Sequence, residues 1–175
     1  MAHDDAMPDK PAEPISFTEV VHEHWSSVYR LLYGMTGNAH DTEDLTQETF
    51  LRALKRIETF QPGTRMRAWL LRIAANAFFD VQRSRRRQRT QPLPANLVGS
   101  GRPPEQALET AEQRELLQAA LVHLSNTDRM VFHLRVQEEL SHREIAEILG
   151  MSEEAARWHL HQARAKLLEW FKRKG

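Results

Sequence analysis

The chain has no cysteine. Disulfide frameworks, thiolate nucleophiles and cysteine-based metal sites are therefore excluded. Glycine is scarce, at 7 of 175 residues, and aromatic residues make up only 7%. Runs of Val, Ile, Thr and aromatic residues alternating at period two are few, so little is available to build a sheet. No apolar run reaches the roughly 20 residues needed to span a bilayer, so no membrane insertion is expected. Residues 1–15, "MAHDDAMPDKPAEPI", are acidic and proline-bearing and lack the apolar centre of a secretory signal. The expectation is a disordered N-terminal tail on a soluble, cytoplasmic protein.

Net charge is also absent, but only as an average. Residues 1–60 carry net −6, residues 61–90 net +7, residues 91–128 net −3 and residues 129–175 net +2. A basic block of that density is an electrostatic footprint for phosphates, whereas an acidic block suits a basic partner. Ala, Leu, Glu, Arg and Gln, all good helix formers, dominate the composition. The chain reads as all-α.

Ser-x-x-acid signatures mark helix starts at Ser16, Ser125, Ser141 and Ser152. Gly34 and Gly37 are read as ending the first helix. A second runs from near Asp41 to about Thr59, where "QPGT" breaks it, and a third from about Arg67 to Arg87. "QPLPANLVGSGRPPEQ" (91–106) has four prolines and two glycines and reads as an extended linker. Helices resume at about 104–124, then 126–137, 142–149 and 153–172. The expected architecture is two small helical domains, residues 16–90 and 108–175, joined by a flexible linker over 91–107.

The last helices have helix-turn-helix spacing. Ile145, Ala146 and Leu149 form one apolar side, Gly150 turns the chain, and Ala156, Leu160, Ala163 and Leu167 form a narrow apolar face. At 100° per residue the opposite face carries Glu154, Arg157, Trp158, His161 and Gln162, which suits a helix lying in a major groove. Arg143 and Ser152 flank that face. In the third helix Leu70, Ala74, Ala77, Phe78 and Val81 are expected to be buried. Arg72, Asn76, Phe79 and Arg83 form the outward stripe, with Trp69 beside it and Arg65 and Arg86 near its two ends. Basic residues interleaved with rings suit nucleic acid with exposed bases, although Trp69 equally fits a core position. In the second helix Leu45, Phe50, Ala53, Leu54 and Ile57 are read as the inward stripe. Asp44, Gln47, Glu48 and Leu51 share an outer patch, where a leucine among acids suggests a protein contact.

These pieces, in this order, resemble the extracytoplasmic-function (ECF) group of bacterial sigma factors. "DTEDLTQETFLRAL" resembles that family's core-binding motif, "RAWLLRIAANAFFDVQRSRRR" its promoter −10 helix, and "LSNTDRMVFHLRVQEELSHREIAEILGMS" its −35-binding domain. The resemblance covers nearly residues 16–170. It implies that Asp44, Gln47, Glu48 and Leu51 dock on the clamp helices of core RNA polymerase. It implies that Asn76 acts at the −10 element, with Phe60 where the family captures a flipped base. Promoter DNA and core polymerase are the implied partners, with an anti-sigma factor as a possible third. The recognition helix departs from the family pattern: Ala155 replaces a threonine, Trp158 a serine, and His159 and Gln162 replace arginines. On the −10 helix Ala75 stands where an arginine is common.

Nine histidines raise the question of a metal. His22/His24 and His159/His161 are i, i+2 pairs, about 200° apart on a helix, and cannot share one ion. No His-Glu-x-x-His motif, nucleophile–base pair or phosphate loop occurs, so neither an enzyme nor a cofactor is expected. Two binding functions remain as alternatives. A helix-turn-helix regulator acting without polymerase would leave the acidic helix and the ring-bearing helix unused. An RNA-binding adaptor would use only the arginine-rich segment.

Overall fold

The computed structural model describes residues 16–61, 63–88 and 111–174. The tail expected over 1–15, the linker expected over 91–107 and the start of the following helix lie outside these. Among the described residues there are helices and no strands. The order is α1 (Phe17–Thr36), α2 (Ala39–Arg56), a 3-10 turn (Ile57–Thr59), α3 (Met66–Gln88), α4 (Ala111–Leu121), α5 (Asn126–Val136), α6 (His142–Leu149) and α7 (Glu153–Lys174).

Most helix starts are capped by the side chains the sequence offers. Ser125 accepts from the Asp128 N–H, Ser152 from the Ala155 N–H, and Ser141 forms a full capping box with Glu144. Each such cap is worth about 1 kcal/mol. Two starts differ from expectation. Ser16 is an N-cap whose side chain makes no capping bond. The second helix begins earlier than Asp41 because Asn38 caps it, accepting from the Asp41 N–H at 2.8 Å.

The first helix does not end at Gly34, which lies inside α1; the chain turns only at Gly37, whose φ of 72° is left-handed. The reason for a glycine at 34 is tertiary. A Cβ there would lie 2.5–2.8 Å from three ring atoms of His133 on α5. Leu54 was expected inside but is 49% exposed. It falls one residue past the buried Ala53, on the edge of the α2 stripe that faces away from α1 and α3. Val81 is half-buried, packed against the edge of the core.

Helices α1, α2 and α3 pack on one another, as do α5, α6 and α7, with α4 against α7. These two lobes also pack on each other, α3 against α6 and α1 against α5. One apolar core therefore runs through both: Leu31, Leu70 and Phe78 belong to it together with Met130, Leu134 and Ile145. A smaller cluster of Ala120, Leu121, Leu124, Ala163 and Leu167 seats α4. Burying each large aliphatic or aromatic side chain contributes roughly 1.5–3 kcal/mol.

Candidate nucleic-acid interface

Three surfaces carry the expected residues. On α2, Asp44 and Gln47 are exposed, Glu48 is half-buried, and Leu51 is 54% exposed. Leu54 extends the apolar part of this patch by almost one turn, which the sequence assignment of Leu54 to the core had hidden. Arg52 reaches from beneath to Glu48 at 2.7 Å and to Asp80 of α3 at 2.8 Å, fixing Glu48 in place. Beside the patch lies an open depression of about 280 Å³. Leu45 and Val81 are among its lining residues, as are the acids Asp41, Asp44 and Glu48. Arg85 also lines it and holds Asp41 at 3.0 Å. Excess carboxylate around an apolar floor suits a long basic side chain from a partner.

On α3, Arg72 and Asn76 are exposed one helical turn apart. Trp69 and Phe60 meet edge-to-face with ring centroids 5.4 Å apart, so the loop after α2 brings an aromatic pair to the head of the stripe. Trp69 is half-buried and also packs on the core. The core position weighed for it is therefore met in part, and the rest of the ring lies against Phe60. Phe79 is drawn inward, packing on the core and edge-to-face with Phe78 at 5.5 Å. The arginines divide. Arg83 is held by Asp80 and Arg65 by Glu144 of α6. Arg72 and Arg86 are exposed with no ion pair among the described residues.

On α7, Glu154, Arg157 and His161 are exposed, Gln162 is half-buried, and Trp158 is 57% exposed. Arg157 pairs with Glu153 at 3.0 Å, and Arg143 of α6 with Glu147 at 3.3 Å. Ser152 is exposed at the start of the helix and its hydroxyl is engaged as the cap. His159 does not face outward with them. Its Nδ1 bonds the buried Asp128 at 2.8 Å, and Lys166 Nζ reaches the same carboxylate at 2.7 Å. Burial alone would raise the Asp128 carboxyl, but hydrogen bonds from Lys166, His159 and Ser125 outweigh it and hold it below the usual carboxylate range. The position that carries an arginine in the resembling family is thus used here to brace α5 against α7.

Residues 20–89 match the Sigma-70 region 2 family and residues 114–167 match Sigma-70, region 4. The chain is 31% identical to the ECF RNA polymerase sigma factor SigW of Bacillus subtilis, covering 90% of either chain.

The chain belongs to the sigma-70 family, in its ECF group.

Another relative, the ECF sigma factor SigE of Mycolicibacterium smegmatis, is 40% identical over 95% of this chain, which spans 65% of that relative's length. Two solved structures share the fold. The sigma factor RpoE of Bartonella quintana, in complex with the anti-sigma factor NepR, superposes with a TM-score of 0.78 at 23% identity. The match covers 89% of this chain and 96% of that one. CnrH, in complex with the cytosolic domain of CnrY, gives 0.68 at 25% identity, covering 91% and 89%.

Several residues of this sigma factor were not singled out from sequence. Glu138, between α5 and α6, is fully buried, and its carboxylate accepts from Ser27, Arg30 and Arg67 of region 2. His133 is likewise buried against Gly34. Region 2 also has a second apolar stripe on α3, Ala68, Leu71, Ala75 and Phe79 at i, i+3, i+7, i+11, with Leu71 and Ala75 almost fully buried. That periodicity is present in the sequence and marks α3 as a helix packed on two sides, but it was passed over because Phe79 was read as outward. Glu138 gave no such signal, because one acid in "VQEELS" looks like any solvated loop residue.

Proposed function

We propose that this sigma factor binds core RNA polymerase through α2, directs it to promoters through −10 and −35 elements, and helps to hold the melted strand for initiation. The observation that carries this is the pairing of two surfaces on one lobe: an acidic face with exposed Leu51 and Leu54, and beside it the exposed Arg72–Asn76 stripe headed by Phe60 and Trp69. A duplex-binding regulator needs neither exposed leucines nor rings. Residues 16–90 would act as the polymerase and −10 unit, residues 108–175 as the −35 unit, with 91–107 between them.

Asp44, Gln47, Glu48 and Leu51 are assigned to the clamp helices of the largest polymerase subunit. Phe60, Arg65, Trp69, Arg72, Asn76, Phe79, Arg83 and Arg86 are assigned to the −10 element and the melted strand. Arg143, Ser152, Glu154, Arg157, Trp158, His161 and Gln162 are assigned to the −35 duplex. Extruding a base costs a few kcal/mol of stacking, which ring contacts and polymerase binding must offset. The described residues include no helix long and apolar enough to cross a membrane, and the site of action is the bacterial cytoplasm. Because CnrH was solved with the cytosolic domain of CnrY, a bound protein partner is proposed here as well, and the family resemblance makes an anti-sigma factor the candidate.

The experiment adds the purified chain to core RNA polymerase and scores run-off transcripts on genomic templates. A promoter-specific transcript is expected with the parent protein, and Asp44→Arg with Glu48→Lys is expected to abolish co-purification with core while leaving helicity intact. Absence of both transcript and core binding in the parent protein would sink the proposal.

A further inference from the structure

His159 directly follows the outward Trp158, yet its ring turns back toward α5. Its Nδ1 lies 2.8 Å from Oδ1 of Asp128, whose side chain is only 4% exposed. Lys166 Nζ lies 2.7 Å from the other oxygen, Oδ2. Hydrogen bonds from Lys166, His159 and Ser125 hold the Asp128 carboxyl below its usual range, so it stands as a carboxylate with no proton to give. Nδ1 is therefore the donor and carries the hydrogen. That bond fixes both the tautomer and the plane of the imidazole.

His159 and Lys166 are seven residues apart, so they lie two turns apart on one side of α7. Both grip the same carboxylate in the first turn of α5. Two grips on one buried point set the rotation of α7 about its own axis relative to α5. That rotation decides which residues α7 turns outward.

The imidazole also meets Trp158. The two ring centroids are 4.9 Å apart with their planes at 77°, an edge-to-face contact. Trp158 is 57% exposed, and among the described residues His159 is its ring partner. An exposed indole on a helix otherwise samples several staggered rotamers. Ordering it at the moment of binding subtracts from affinity. Here the ordering is done in the free chain: Asp128 fixes His159, and His159 fixes one orientation of Trp158. The contacts run from the interior of region 4 to the middle of the face assigned to the −35 duplex.

We propose that His159 is a positioning residue for −35 readout: anchored on Asp128, it holds the Trp158 indole in the orientation that meets base edges, and so sets sequence discrimination without itself touching a base. The inference rests on the −35-binding function proposed above. An apolar contact with a base edge depends on sequence, through the thymine methyl group. Phosphate contacts do not. Loss of the anchor therefore weakens binding to the correct element and spares binding to an incorrect one.

The test uses the full chain assembled with core RNA polymerase and two DNA fragments. One is a genomic promoter recovered by run-off transcription. The other is the same fragment with the bases of its −35 element scrambled. His159→Gln separates positioning from bracing, because the glutamine amide still donates to Asp128 while the ring is gone. Its affinity for the intact promoter should fall about three- to tenfold, as expected when one of about three rotamers is no longer selected in advance. Affinity for the scrambled fragment should change by less than about twofold. In a Trp158→Ala background the same substitution should cost nothing further on the intact promoter. NMR of the free parent chain should show a nuclear Overhauser contact between the two rings. In fluorotryptophan-labelled chain the Trp158 resonance should shift in His159→Gln, while those of Trp25, Trp69 and Trp170 stay in place. Unchanged affinity for the intact promoter, equal losses on both fragments, additive losses in the double variant, or absence of the ring contact in the free parent would each overturn the positioning role. Loss of helicity in His159→Gln would do the same, since the histidine would then be a requirement of the fold. If the parent holoenzyme binds both fragments equally while the ring contact is present, the −35 function proposed above is what fails, and the positioning role falls with it.

Discussion

At the scale of single residues, two side chains have testable duties. Trp158 stands outward on α7 next to Arg157, whose charge is shared with Glu153. With a histidine and a glutamine in place of two arginines, the outward face near its start, proposed to meet the −35 duplex, has Arg157 as its fixed cation, and on that proposal apolar contact carries more of its hold on DNA. Trp158→Ala should therefore weaken −35 binding roughly tenfold, the worth of burying part of a large ring, while thermal unfolding shifts by less than about 0.5 kcal/mol. Gel-shift titration against specific and scrambled duplexes checks it, and equal affinity of the parent for both would remove Trp158 from readout. His133 has the opposite setting. Burial pushes its imidazole down from 6.5 to about 4, and nearby Arg129 acts the same way, while Gln137, the Gly34 carbonyl and Glu138 pull upward. The unfolded chain, with the ring in water, binds a proton between about pH 6.5 and pH 4 that the folded chain refuses. This contribution to stability is therefore fully present above pH 6.5 and is lost as pH falls toward 4, by up to about 3 kcal/mol. Thermal unfolding should shift downward over that window in the parent and less so in His133→Gln. A parent midpoint unchanged down to pH 4.5 would contradict this.

At the scale of elements, the helices followed from caps, breakers and periodicity, but which face of each helix had a partner did not. α2 shows the limit. Its apolar residues were assigned inward as one stripe, yet Leu54 lies outside with Leu51. Two exposed leucines on neighbouring positions of an acidic face cost solubility for no gain within the chain, which is why they are assigned to polymerase. Leu51→Glu with Leu54→Glu should leave stability within about 1 kcal/mol, as surface changes do, and lower affinity for core polymerase at least tenfold in a competition assay. Undiminished core binding would place the docking surface elsewhere. α3 shows the converse: Asn76 and Arg72 stayed outward as expected, while a second stripe through Leu71 and Ala75 proved buried.

At the scale of the whole molecule, zero net charge conceals an acidic face on α2, proposed to dock on polymerase, an arginine-bearing face on α3, proposed to meet DNA, and a part-buried ionic contact between lobes. These respond differently to salt. Exposed charges are screened within about 10 Å at 0.1 M, buried pairs far less. Raising salt from 0.05 to 0.5 M should change the thermal stability of the free chain only modestly, because Glu138 has no exposed surface even though Arg30 and Arg67 are partly open to solvent. Over the same range the affinity of the polymerase-bound chain for promoter DNA should fall by orders of magnitude through counterion release. A stability that tracks salt as steeply as DNA binding would mean that exposed surface charges, and not the Glu138 contact, dominate the electrostatics of the fold.

The class of fold, the helix-turn-helix, the family and the outward places of Arg72, Asn76 and Trp158 were legible in the sequence. These depend on local rules, on spacing of 3.6 and on residues one to four positions apart. The tertiary structure alone decided that Gly34 lies within a helix as a seat for His133, that Leu54 faces out, that His159 braces Asp128, and that Glu138 is an interior group. Each of those depends on a partner from 31 to 111 residues away, or on the lack of one. No periodicity reports such a partner, because burial of a single charge is set by what the other lobe brings to meet it.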